Sequence, residues 1–163
     1  MKTIPLRKDV NTQDKWDLTS LYKTENDWEV DLKKITEYAD KIAGFQGQIK
    51  DSADKMLEVL KLNEEMEKIA ESVGSYAFLL TATDAGDSSY QDKQGRYMMS
   101  ATEAQAKTCF VITEIQEIPE DELSSRMAHP DYANYKIFLE KLLHQKPYKK
   151  KKKEERLFAL QAE

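Results

Sequence analysis

Seven side chains most constrain what this chain can fold into: Val59, Leu62, Met66, Ile69, Val73, Tyr76 and Leu80 recur in an unbroken alternation of three and four residues. An α-helix turns once every ~3.6 residues, so this spacing gathers all seven on one face, whereas a strand would send them to both sides of a sheet. A long helix with one apolar face must be covered by other helices, and the neighbouring stretches supply them. Trp28, Leu32, Ile35, Ala39 and Ile42 step by four, three, four and three, and Tyr97, Ala101, Ala104, Thr108, Val111 and Ile115 keep the same rhythm. The pattern predicts an all-α fold, an antiparallel multi-helix bundle with an irregular or extended N-terminal arm.

Capping residues place the boundaries. Thr24 stands three residues before Asp27 and just ahead of an acidic first turn, so it opens the first helix, and Gly44 supplies the stop. Glu29 with Lys33, and Glu37 with Lys41, are expected to pair along its exposed side. The long seam starts after Asp51-Ser52 and ends within Thr81–Gly86; Gly74 inside it marks either a bend or a close helix crossing. A third helix is predicted from about Ser88 to about Ile118. Met98, Cys109 and Ile112 on its flanks suggest that it is packed from two sides, with Cys109 buried. Pro119 ends it and leads a short helix through Met127; after His129-Pro130-Asp131, Tyr135, Phe138, Leu139, Leu142 and Leu143 form another stripe, halted before Pro147. The residues from Glu154, with Leu157, Phe158 and Leu160, read as the opening of one more helix. This gives an N-terminal arm at 1–23, a helical domain at 24–147, and a lysine-rich linker with the start of a further helix at 148–163. Within the arm, Trp16, Leu18 and Leu21 are expected to anchor the chain onto the domain.

Charge bears on partners. The net charge is -5 over 163 residues, but Thr24 to Gln145 holds 13 basic and 24 acidic residues, a net of -11, while the tail from Lys146 is basic through the run Lys149 to Lys153. An acidic body repels nucleic acid, and one local lysine cluster without a binding fold reads as a solvated linker, so no nucleic-acid partner is expected. With no apolar run near ~20 residues, no secretory signal at the N-terminus and a single cysteine, neither a membrane partner nor a disulfide is expected, and the expected location is the cytoplasm.

The reactive residue types are few and scattered. The two histidines, His129 and His144, sit in no ligand motif, since helical zinc sites place two histidines one turn apart. Glu64, Glu65, Glu67 and Glu71 read as a solvated helix face. Tyr76, Tyr90, Tyr97, Tyr132 and Tyr135 fall on or near the inner stripes, where a tyrosine packs its ring and can offer a hydroxyl to a peptide carbonyl. No catalytic, cofactor-binding or metal residue is assigned.

Order and spacing carry a resemblance. Trp16-Asp17-Leu18-Thr19-Ser20-Leu21-Tyr22, the helix opening at Trp28, the turn Phe45-Gln46-Gly47-Gln48-Ile49 and the stretch Tyr76 to Asp84 occur in that sequence. They are followed by Asp131-Tyr132-x-x-Tyr135-x-x-Phe138-Leu139-Glu140-x-Leu142-Leu143-x-Gln145-Lys146-Pro147. The series resembles the N-terminal region of oligoendopeptidase F, of the thimet-oligopeptidase-like zinc metallopeptidases. The resemblance implies a mostly helical cytoplasmic enzyme with a channel for oligopeptides. It also implies zinc held by a His-Glu-x-x-His helix and a further glutamate, none of which occurs in this chain. The expectation is a channel wall or lid, inactive alone, whose partner is the parent enzyme's catalytic domain. The runner-up is a free-standing helical module that binds a partner helix or self-associates. A nucleic-acid binder working through Lys149 to Lys153 ranks last.

Overall fold

Thr24 opens the first helix through a complete capping box: its hydroxyl accepts from the Asp27 amide at 3.2 Å, and the Asp27 carboxylate accepts from the Thr24 amide at 3.1 Å. The computed structural model describes residues 9–146; the lysine run and the predicted helix opening at Glu154 lie outside them. The described residues contain α1 (Glu25–Ala43), α2 (Ala53–Thr83), α3 (Ser88–Thr108), α4 (Phe110–Glu117), α5 (Glu120–Met127) and α6 (Lys136–Gln145). Short 3-10 turns stand at Thr12–Asp14, Leu18–Ser20 and Pro130–Tyr135, and no strand occurs among the described residues. The fold is all-α, as the periodicity predicts.

The helices divide into two compact units. One comprises residues up to Gln46 together with Glu58–Cys109; the other comprises Gly47–Leu57 and the residues from Phe110 onward.

In the first unit, α1, α2 and α3 run up, down and up. Contacts give the directions. Trp28 and Tyr22 meet Val73 and Tyr76, so α1 and α2 are antiparallel. Thr81 reaches Tyr90 while Gly74 lies against Tyr97, so α2 and α3 are antiparallel as well. Between the parallel pair α1 and α3 runs a ladder of ion pairs at nearly constant register: Lys93 to Glu25, Arg96 to Glu29, and Lys107 to Asp40. The predicted α1 stripe is buried from Trp28 to Ile42. Glu29, expected to pair with Lys33 on its own helix, is instead taken by Arg96 across the ladder, because the guanidinium fork matches both carboxylate oxygens. Gly44 ends α1 in right-handed conformation, at φ -62°, and the left-handed residue of the following turn is Gly47, at φ 81°.

Two expectations fail here. The helix predicted from Ser88 to Ile118 is two helices, broken at Cys109, and Cys109 is exposed. The exposure of Cys109 is angular in origin: α3 buries a narrow face that includes Lys93 and Ala104, and Cys109, five residues beyond Ala104, lies about 140° around the helix from it. Trp16 does not anchor the arm. It is 60% exposed, while Tyr22 is buried with its ring edge-on to Tyr76 at 5.3 Å. The 3-10 turn at Leu18–Ser20, capped by the Asp17 carboxylate, carries the chain inward only at Tyr22.

In the second unit, α6 packs on α4, α5 and the turn Pro130–Tyr135. Ile49, Met56, Ile115, Ile118, Leu123, Tyr132 and Leu139 form its core.

Candidate functional site

The side chains able to do chemistry are dispersed and structurally occupied. His129 is exposed and caps the Pro130–Tyr135 turn, its Nδ1 accepting from the Asp131 amide at 3.4 Å. His144 lies on the outer side of α6, in a shallow open groove shared with Ile137, Glu140, Lys141 and Gln145. Lys68 bridges Glu64 and Glu65 at 2.8 and 3.1 Å on the solvent side of α2, and these hydrogen bonds raise the lysine's pKa. Among the described residues, no three His, Cys, Asp or Glu side chains converge to hold a metal ion. The three-ligand set of a catalytic zinc therefore does not fit these residues.

The tyrosines named from the sequence act as packing and tethering groups. The Tyr132 hydroxyl donates to the Ala53 carbonyl at 2.5 Å from a buried ring. Tyr97 fills the space that a side chain at position 74 would need: a Cβ built on Gly74 would overlap its ring and stand 2.7 Å from its hydroxyl oxygen. Gly74 thus marks the close crossing, one of its two predicted readings. Tyr22 donates to Asp31 at 3.2 Å; burial first, then the Asp31 charge, hold its pKa well above the ordinary 10.0. Burial likewise raises Tyr76 and Tyr132.

The most elaborate polar arrangement is one that helical spacing did not single out. Residues 47–52, between α1 and α2, are clamped from two sides within the second unit. From α4 the Glu114 carboxylate accepts from the Gly47 amide at 2.5 Å and the Ile49 amide at 3.3 Å. From α5 the buried Arg126 guanidinium donates to the carbonyls of Lys50 at 2.7 Å and of Ile49 and Ser52 at 3.3 Å, and it pairs with Glu122 one turn back. A loop cannot satisfy its own backbone in a low-dielectric setting, so two charged side chains do it instead. The signal was present: Glu114 adjoins Ile115 in an apolar stripe, and Arg126 follows buried Leu123 by three residues. In the first unit the indole of Trp28 plays a similar part, donating to the Val73 carbonyl at 3.1 Å under the cations of Lys93 and Arg96. The hydrogen bond from Arg96 holds Glu29 below the usual carboxylate range. What this arrangement does is fix backbone; it presents no nucleophile, base or ligand set.

The family described as Oligopeptidase F matches residues 114–163. Group B oligopeptidase PepB of Streptococcus agalactiae is 27% identical over 94% of this chain and 26% of its own length. Oligopeptidase PepF of Bacillus subtilis is 25% identical over 96% of this chain and 23% of its own. A solved structure of a candidate peptidase from Chlamydophila abortus shares the fold with a TM-score of 0.84 at 21% identity, covering 96% of this chain and 27% of that one. The chain therefore spans about a quarter of the length of the curated relatives it matches, and the resemblance to oligoendopeptidase F holds along nearly all of it.

Proposed function

We propose that this chain is the N-terminal helical part of an oligoendopeptidase F-like zinc metallopeptidase, serving as wall or lid of a channel that takes short peptides. In this reading zinc, the activated water and the general base belong to the rest of the enzyme, and this chain contributes shape and rigidity. The observation that carries the proposal is the asymmetry of coverage: over nine-tenths of this chain aligns with oligopeptidases, yet it accounts for about a quarter of each. The dispersal of His129, His144 and Cys109 and the tethering role of the tyrosines support it. Among the described residues no helix is long and apolar enough to cross a membrane. The proposal includes a cytoplasmic location for that enzyme.

The test uses the product of the complete source reading frame. It should hydrolyse a quenched fluorescent oligopeptide and lose that activity with a zinc chelator. A complete product without peptide hydrolysis would overturn the proposal. It would favour a second reading, a free-standing helical interaction module, for which the exposed apolar residues Met98 and Met99 speak.

A further inference from the structure

Helix α3 has two seams, and only one is covered within the described residues. The inward seam includes Ala104 and the ring of Tyr97 against α2. The outward one is Gly95, Met99, Thr102 and Ala106, continued by Cys109 at the helix's C-cap, spaced four, three, four and three, and every member is exposed. None is charged, in a chain whose residues are 34% charged. Met98 and Gln105, exposed and uncharged as well, widen the face on one side, and Met98 and Met99 are 55% and 61% exposed. The neighbouring cations are already engaged, Arg96 with Glu29 and Lys107 with Asp40. The exposed sides of the other long helices differ: α1 shows Lys33, Glu37, Asp40 and Lys41, and α2 shows Glu58, Lys61, Glu65 and Lys68. An exposed helix surface of this length without a charge is unusual.

We propose that this face of α3 is the docking seam for an α-helix of the peptidase body, in the same polypeptide; the inference rests on the reading under Proposed function. Three observations select that occupant. The alternation of three and four is the spacing that receives a second helix along its length, and Gly95, Thr102 and Ala106 let a helix axis approach to about 8 Å. No cation stands on the face, and the exposed carboxylates of Asp92 and Glu103 lie along its rim, which disfavours phosphate-bearing partners such as nucleic acid or an anionic membrane. The seam from Gly95 to Cys109 is ~21 Å long and ~10 Å wide, so the face offers about 200 Å² per partner, well short of the roughly 800 Å² that a stable pair of separate molecules needs. A second copy of the chain is thus a poor occupant, whereas a helix tethered in the same polypeptide meets the face at high effective concentration. The relatives, about four times as long as this chain, have ample sequence to provide one.

The experiment compares maleimide labelling in two proteins, the 163-residue chain and the product of the complete source reading frame. Cys109 is labelled in each directly; Met99→Cys, Ala106→Cys and, as control, Glu65→Cys are made in a Cys109→Ser background. The inference predicts labelling at positions 99, 106 and 109 at least about tenfold slower in the complete product, with the control equal in both. Equal rates at the three seam positions would overturn it, including the case in which the reading frame ends at Glu163. Protection already present in the 163-residue chain, and growing with its concentration, would also overturn it by showing a second copy on the face. Peptide hydrolysis is measured alongside. Activity without protection defeats the docking seam alone, and protection without activity defeats the peptidase reading while the seam stands.

Discussion

Trp28 is fully buried, hydrogen-bonded through its indole to Val73 and overlaid by two cations, so it ties α2 and α3 to α1 through one side chain. Trp28→Ala is expected to cost about 3–5 kcal/mol in urea denaturation, from lost burial and an emptied cavity. Trp16, 60% exposed, should tolerate the same change within ~0.5 kcal/mol. Equal losses at the two tryptophans would contradict the placement of the opening segment. At Glu114, removing the carboxylate leaves the Gly47 and Ile49 amides without their acceptor, and Glu114→Ala should cost about 2 kcal/mol. Hydrogen exchange at those two amides should accelerate in the variant; unchanged exchange would show that the loop does not depend on the clamp. Tyr22 gives a pH dependence. Its folded pKa is raised above the unfolded value near 10, so its stabilising contribution is complete below pH 10 and is lost as pH climbs past that value. Tyr22→Phe should therefore flatten the alkaline decline of the melting temperature, and an unchanged decline would contradict the assignment.

At the scale of the elements, the crossing of α2 and α3 turns on Gly74. Alanine at an ordinary helix position gains about 1 kcal/mol over glycine. Here its methyl would meet the Tyr97 ring, so Gly74→Ala should be destabilising by about 1–2 kcal/mol. In a Tyr97→Ala background the same substitution should become stabilising. A double-mutant cycle by thermal denaturation decides the matter; no change of sign would mean that the ring moves aside freely. The elements themselves were largely legible in the sequence. The α1 stripe, the Thr24 cap, the start of α2 and the Pro119 boundary each follow from local chemistry, which needs no knowledge of neighbours. The break at Cys109 was not, because neither proline nor glycine marks it, and the apolar face of α3 continues in phase into Val111 and Ile115. The clamp on residues 47–52 was missed for a related reason. A carboxylate and a guanidinium within amphipathic helices read as surface groups until a loop distant in sequence supplies their partners, 65 to 77 residues away.

For the whole molecule, the polar side chains of both units are engaged in holding the fold. Charged side chains are spent on backbone and on the α1–α3 ladder, and among the described residues every buried side-chain nitrogen and oxygen has a hydrogen-bond partner. The similarity to oligopeptidases runs along nearly all of this chain and about a quarter of each relative. The central claim, that reaction chemistry resides outside these 163 residues, is tested most directly by assaying the purified chain itself for cleavage of a short peptide with added zinc and with chelator. The account predicts no turnover above the buffer blank and no stoichiometric zinc retained after desalting. Chelator-sensitive cleavage by this chain alone would contradict it.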